Sequence, residues 1–410
     1  MPTQIAAPPT IRDTRSQIKR RRLSRPFAFA AIAAIFVAFT AASAAPSPLY
    51  VVYQQEWGFS PTTLTVIFAV YVAGLIAALL VLGALSDHVG RRPVLAAAIA
   101  LEAAALVLFL SAGDVGVLLA ARLAQGIATG AAFTTLGATM VDLDPPHAPG
   151  RAGLLNGIIP TAGLAFGALG TGALVQFAPA PTHLVYALLL AGMVLAVLAV
   201  AVVPETVTRR PGGAATLVPR LGVPARLRSG LFALVPIMVA SWALGGLYFS
   251  LGPSVAAGVF GLHNHLIGGL VVTLLCAPGS VTAYLLRRTR AQRVLAIAGL
   301  GLATGAVLTS AGIDVHNIVL AAVGTLIAGI GFGAAALATF GTLAAMAAPT
   351  ERAELFTVAL VISYLAFSVP AVLAGFAATA YGLHVTALTY GIGVAALGAV
   401  ALAAQVWRTR

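Results

Sequence analysis

The charged residues of this chain stand in short clusters, and the stretches between them are long and apolar. A helix needs about 20 apolar residues to cross a hydrocarbon core. Residues 27–46, 61–85, 93–112 and 116–141 each satisfy that requirement. The interval from Arg151 to Glu205 is uncharged and long enough for two spans, broken at Ala178–His183. Arg228 to Arg287 likewise holds two, broken near Gly258–His265, and residues 294–312 and 316–346 hold one each. Glu354 to Arg408 has room for two more, broken at Tyr381–His384. The reading is an all-α integral membrane protein with twelve transmembrane helices. Composition supports it: 8% of residues are charged and 60% hydrophobic, against about 25% charged in soluble domains.

The clusters also set an orientation. Arginines and the single lysine, Lys19, occupy the N-terminal tail, the 86–93 loop, Arg151, Arg209 to Arg228, Arg287 to Arg293, Arg352, and the end at Arg408 and Arg410. These are alternate gaps between spans. The intervening gaps carry Glu56, Asp114 and Asp314 but no Lys or Arg. Under the positive-inside rule both termini are cytoplasmic. The same rule explains the net charge of +12, which in a soluble protein would point to nucleic acid. No basic surface interleaved with aromatics is present, so no nucleic-acid partner is expected; the bilayer itself is the partner. Trp57 beside Glu56 and Trp407 beside Arg408 fit interfacial anchors. The scarcity of lysine beside abundant Arg, Ala and Gly suggests a GC-rich bacterial genome, hence a bacterial plasma (inner) membrane.

Four segments follow. Residues 1–25 form a basic tail that is disordered by composition. Its arginines, with the apolar run after them and Ala42-Ser43-Ala44, also mimic a cleaved leader, but the repeat described next requires the first helix. Residues 26–203 and 230–410 are two six-helix bundles, joined by a polar connection over 204–229 that is rich in Pro, Gly and Arg. The bundles repeat each other. Arg151-Ala-Gly-Leu154 with Leu164-Ala-Phe166 matches Arg352-Ala-Glu-Leu355 with Leu365-Ala-Phe367 at one offset. Upstream, Gly126-Ile-x-x-Gly-Ala-Ala132 matches Gly329-Ile-x-x-Gly-Ala-Ala335. Parallel six-span repeats about an axis along the membrane normal are an architecture of transporters that rock around a midplane site.

The stretch Gly83-Ala-Leu-Ser-Asp-His-Val-Gly-Arg-Arg-Pro93 joins two apolar runs. Gly83 and Gly90 permit a tight path and Pro93 suits a first helical turn. Asp87, Arg91 and Arg92 supply opposite charges at a helix end. The spacing G-x-L-S-D-x-x-G-R-R-P resembles the signature loop between the second and third helices of the major facilitator superfamily. The resemblance covers nearly the whole chain from about residue 26. It implies two pseudo-symmetric six-helix bundles, alternating access, a small-molecule substrate, the proton gradient as energy source with no cofactor, and a unit that functions as a monomer. Asp142 resembles the family's acid that receives the loop arginine, so Asp87, Arg91 and Asp142 would form a gating set holding the cytoplasmic face shut. The counterpart loop, Tyr284 to Leu295, contains arginines and no acid.

Arg122 is the basic residue that falls inside a span, in Arg122-Leu-Ala-Gln125-Gly126. This resembles the superfamily's fourth-helix motif, whose Arg is associated with proton coupling; an Arg that snorkels outward or ties helices together is the alternative. Glu102, near the middle of the third span, either takes up a proton or pairs with a buried donor, as carrier or as structural hydrogen-bonding group. Gly163, Gly167 and Gly172 admit close helix packing and partly resemble the fifth-helix motif of drug:proton antiporters, with Ala168 and Thr171 departing from it. Tyr71, Gln125, Asn156, Trp242, Tyr248 and Tyr364 are candidates to line a substrate cavity, whose scarcity of charge favours hydrophobic solutes.

No paired carboxylates within spans, metal-ligand clusters or phosphate-binding loops occur, and His263 and His265 lack acidic or thiol partners; an enzyme is not indicated. Proton-coupled efflux of a small hydrophobic molecule is the expectation. Uptake of a nutrient such as a sugar or organic acid is the alternative, since Pro204-Glu205-Thr206 resembles a sugar-porter triplet, and a non-transporting scaffold or sensor is a distant one. The orientation is checked by single cysteines in a Cys276→Ala background. Cysteines in the 86–93 and 287–293 loops should resist an impermeant thiol reagent in intact cells, while cysteines at Gly113 and Gly261 should react.

Overall fold

The computed structural model describes residues 22–209, 211, 222–348 and 351–408, with only the backbone for 353 and 405–408. Most of the basic tail, much of the central connection and the side chain of the Trp407 anchor therefore lie outside what is described. What is described is helical throughout. The first half comprises α1 (Arg25–Ala44), α2 (Pro46–Trp57), α3 (Pro61–Leu82), α4 (Ser86–Val89), α5 (Arg91–Leu110), α6 (Val115–Asp142), α7 (Arg151–Phe177) and α8 (Pro181–Val202). The second comprises α9 (Ala225–Ser250), α10 (Gly252–Gly258), α11 (His265–Leu285), α12 (Ala291–Asp314), α13 (Ile318–Met346), α14 (Arg352–Tyr381) and α15 (Leu383–Arg408). Among the described residues, 12 helical segments are long and apolar enough to cross a membrane.

The span ends shift from the sequence reading by up to three residues at most boundaries, and by far more at one. The first span does not end at residue 46 but continues through α2 to Trp57. Pro46 and Pro48 lack the N–H of a regular helix, so the span breaks at Ala45 and resumes. Elsewhere charge and caps set the ends. Ser60, Asp114, Asn264 and Asn317 each accept a hydrogen bond from a first-turn N–H of α3, α6, α11 and α13. All four caps lie at the end of the molecule distal to the 83–93 loop. They satisfy donors that hydrocarbon would leave unpaired.

Within each half the repeated glycines do the same work. A methyl group on Gly126 would collide with the Tyr71 carbonyl oxygen, and one on Gly130 would lie 2.6 Å from Leu75 O, so α6 rides directly on α3. In the second half, Gly329 and Gly333 face Leu275 O and Gly279 O, and α13 rides on α11 in the same manner. The fourth and tenth spans thus meet the second and eighth through one shared motif, as small residues at membrane helix contacts do.

The halves join at the distal end. Ser47 Oγ donates to Phe249 O (2.6 Å), the Thr62 and Thr379 hydroxyls meet at 2.8 Å, and His265 N donates to Gln176 Oε1 (2.9 Å). Phe68 and Phe367 pack across the same boundary with centroids 4.9 Å apart and ring planes tilted by 51°. Along α7 and α11 the seam stays closed as far as Ser280 Oγ, which donates to Thr161 Oγ1 at 2.9 Å. Beyond it, toward the loop end, a cleft of about 720 Å³ separates α7 from α11 and α13.

The glycine contacts are checked by paired substitutions. Gly126→Ala should lower the thermal midpoint in detergent, at a cost of about 1–3 kcal/mol from overpacking. Gly170→Ala, on the same kind of helix but with nothing within 4 Å of the added methyl, should leave the midpoint unchanged or raise it.

Candidate functional site

The break in the first span organises a buried polar cluster. In an unbroken helix the N–H of residue 46 would pair with Ala42 O; proline has none. Gln125 Nε2 supplies the missing donor to Ala42 O at 3.0 Å. The same amide nitrogen donates to Glu102 Oε1 (3.0 Å), while its oxygen accepts from Arg122 Nη1 (2.6 Å). Arg122 Nη1 also reaches Ser43 O at 3.4 Å, and its guanidinium lies 4.1 Å over the Tyr71 ring. Glu102 and Gln125 are 0% exposed and Arg122 2%, so Arg122 does not snorkel. The carboxylate and the guanidinium do not touch; Gln125 lies between them with every amide group engaged. Glu102 Oε2, Arg122 Nε and Tyr50 Oη have no partner.

The 83–93 loop is a second cluster. Gly90 has φ +106° and ψ 152°, and a methyl there would lie 2.8 Å from Glu205 Oε2, so only glycine fits both the dihedral and the space. Gly83 by contrast is right-handed helical and closes the turn after α3. Arg91 stands between two acids: Nη1 is 2.5 Å from Asp87 Oδ1, and Nε is 3.1 Å from Asp142 Oδ2. Its Nη1 also donates to Ser86 Oγ at 2.6 Å. Arg25 donates to Asp142 O, and Thr206 Oγ1 donates to Asp142 Oδ2.

Glu205, which sequence reasoning noted only as part of a triplet, completes the loop. Its carboxylate accepts from Arg91 N (2.8 Å) and Arg92 N (3.1 Å), capping an α5 N-terminus that its own Gly90 cannot cap. The Arg92 side chain runs the other way, to the terminal carbonyls of α8 at Val200 and Ala201. Negative charge at a helix start and positive charge at a helix end both suit the helix dipole. The signal for Glu205 was an acid immediately after a span, but its partner lies 114 residues away. The members of this cluster lie in the first half or in the residues immediately flanking it, Arg25 before and Glu205 and Thr206 after. In the second half Arg287 instead donates to its own Tyr284 O and stacks on that ring, while Arg226 pairs with Glu351.

The remaining candidates scatter. Gly163 and Gly167 press α7 against Thr40 and Ala41 of α1, and Gly172 meets Gly269 of α11 across the halves. Asn156 Nδ2 donates to Gly137 O. Trp242 and Tyr364 pack edge to face, centroids 4.9 Å apart, beside Phe367 at the boundary of the halves. Tyr248 Oη shares a 2.7 Å hydrogen bond with Thr325 and lines an apolar cavity of about 350 Å³ inside the second half, with Leu244, Val255, Phe260 and Leu274. Tyr71 and Gln125 belong to the Arg122 cluster. The candidates therefore do not form one lining. Among the described residues no group of His, Cys, Asp or Glu is placed to hold a metal.

Comparison with known proteins places these clusters in context. The model of the Major Facilitator Superfamily matches residues 28–369. A search of curated protein sequences finds no match. Solved structures share the fold. A variant of the nucleoside transporter NupG aligns at 12% identity and TM-score 0.71, covering 93% of this chain and 100% of that one. A bacterial homolog of the human lysosomal transporter Spinster, inward-facing and unoccupied, aligns at 14% identity and TM-score 0.72, covering 93% and 97%. The human organic anion transporter TETRAN aligns at 17% identity and TM-score 0.67, covering 93% and 100%.

The capping role of Glu205 has a direct check. Glu205→Ala removes the acceptor for two first-turn amides and should cost about 1–2 kcal/mol, read as a lower thermal midpoint. Glu351→Ala should leave the α5 end protected in amide exchange, whereas Glu205→Ala should not.

Proposed function

The chain belongs to the Major Facilitator Superfamily, and on that premise we propose that it is a secondary active transporter that works by alternating access and exports a small, apolar molecule in exchange for protons that enter down their gradient. The observation that carries the reading is the Glu102–Gln125–Arg122 chain. A carboxylate and a guanidinium are both withdrawn from water yet held apart by one amide. Charge buried in a membrane protein is costly and marks ion pathways. Glu102 Oε2, without a partner, is the seat for the transported proton. Protonation weakens the acceptor that Gln125 holds, and the amide carries that change to Arg122 and to the break in the first span. That span donates Ser47 to Phe249 across the halves, so the proton site is linked to the contact that must open. Coupling of this kind shifts conformations only through differential affinity for the two states.

The halves at 26–203 and 230–410 are the two rocking bodies, with cytoplasmic termini in a bacterial inner membrane. The loop set of Asp87, Arg91 and Asp142 gates the cytoplasmic side by keeping the first half's loop end rigid, with Arg92 and Glu205 in support. An apolar substrate agrees with an Arg122 already committed to protein partners and with the apolar lining beside Tyr248. The proton gradient is the energy source, no cofactor takes part, and the monomer is the working unit.

A thermal-shift screen of purified protein against a broad compound panel identifies a ligand through its binding to the folded state, and proteoliposomes then report direction. An exporter exchanging substrate for protons accumulates it in the acidic compartment; a nutrient symporter accumulates it in the alkaline one and so replaces export with uptake. Glu102→Gln should abolish accumulation driven by a pH gradient while preserving substrate counterflow. Gradient-driven accumulation at the wild-type level in Glu102→Gln would remove Glu102 as the proton carrier.

A further inference from the structure

The cleft between the halves at the loop end has a chemistry that the proposed transport cycle does not use. Its first wall is the start of α7, where Gly153 and Gly157 show open space on their exposed side and Arg151 stands at the first turn. Its second wall is the end of α11 and the turn after it, with Ala283, Arg287 and Arg288. The three arginines face a volume of about 720 Å³, and no acid is among its lining residues. Asp144, the acid nearest in sequence to Arg151, is spent on Gly150 N (2.8 Å) and Ala152 N (2.9 Å). Arg287 is folded onto Tyr284, whereas the guanidiniums of Arg151 and Arg288 have no hydrogen bond or ion pair among the described residues. The distribution of positive charge along the chain explains why arginines lie at this end. It does not explain why two of them line a cleft without partners, beside glycines that leave it unfilled.

We propose that this cleft binds the phosphate of an anionic phospholipid headgroup, seated between Arg151 of the first half and Arg288 of the second. Guanidinium groups bind phosphate oxygens in a bidentate manner, and basic pockets between transmembrane helix ends are suited to anionic headgroups. A lipid is favoured over a soluble anion by position. The arginines sit where α7 begins and α11 ends, at headgroup level. The surface leading from the cleft along α11 is exposed and apolar, with Val281 57%, Tyr284 46% and Leu285 66% exposed, a path for acyl chains. Because the two walls belong to different halves, the headgroup favours the arrangement in which this end is apart. By reciprocity that arrangement binds the lipid more tightly.

The test is thermal unfolding of the purified full-length chain in detergent, titrated with phosphatidylglycerol, with phosphatidylcholine, and separately with inorganic phosphate. Phosphatidylglycerol should raise the midpoint saturably and phosphatidylcholine should not. In the double variant R151Q/R288Q its apparent affinity should fall by about 30-fold, while R290Q/R293Q, which removes the same charge outside the cleft, should match the parent. If R151Q/R288Q does not fold, Gly153→Leu fills the cleft with every arginine in place and should produce the same loss. Equal losses in R151Q/R288Q and R290Q/R293Q, or none in either, overturn the site. A saturable shift with inorganic phosphate that matches the phosphatidylglycerol shift and disappears in R151Q/R288Q overturns the lipid and assigns the cleft to a soluble anion. None of these outcomes depends on the direction or coupling of transport.

Discussion

In hydrocarbon a backbone carbonyl that loses its N–H has no water to replace it, and the first half of this protein is arranged around such a carbonyl. Pro46 removes the donor to Ala42 O, and Gln125 restores it from a neighbouring helix. Once one amide hydrogen is committed there, the other points at Glu102 and the amide oxygen points at Arg122. The orientation of one side chain therefore orders an acid, a base and a helix break into a single unit. Gly126, the residue after Gln125, brings α6 onto α3 closely enough to lay Arg122 over Tyr71. Among the described residues, the second half has no such unit. The repeat aligns Thr325 with Arg122, and Thr325 shares a neutral hydrogen bond with Tyr248.

The loop cluster follows the same logic at the edge of the membrane. Two helix ends, the start of α5 and the end of α8, expose amides and carbonyls that need partners. Glu205 serves the first and Arg92 the second. Arg91 is then held between Asp87 and Asp142 by a backbone already fixed on both sides. The sequence reading expected Asp87, Arg91 and Asp142 to hold the cytoplasmic face shut. The structure joins the halves at the opposite end, and the partners of Asp87, Arg91 and Asp142 lie in the first half, in Arg25 just before it and in Glu205 and Thr206 just after it.

Most of the architecture was legible in the sequence. Uncharged runs of spanning length arise from the cost of charge in hydrocarbon, which acts on every residue independently of its neighbours. The repeated Gly-Ile-x-x-Gly-Ala-Ala motif was visible because close helix approach demands small residues at fixed spacing. The candidate site was legible only as isolated residues. Glu102, Arg122 and Gln125 were each singled out, but not as one chain, and Glu205 was read as a triplet rather than as a cap. The course of the first span was missed because two prolines within three residues look like an ending. They form only a break when neighbouring helices satisfy the freed carbonyl.

The sequence alone determined that the chain spans a bilayer twelve times in two related halves, because span length and small-residue spacing are local quantities. Only the tertiary structure decided which polar groups meet. Whether Glu102 faces Gln125 or Arg122, and whether Arg91 finds Glu205 114 residues away, depends on helix height and rotation. Those are set by packing between spans, and charge and hydropathy along the chain do not encode them.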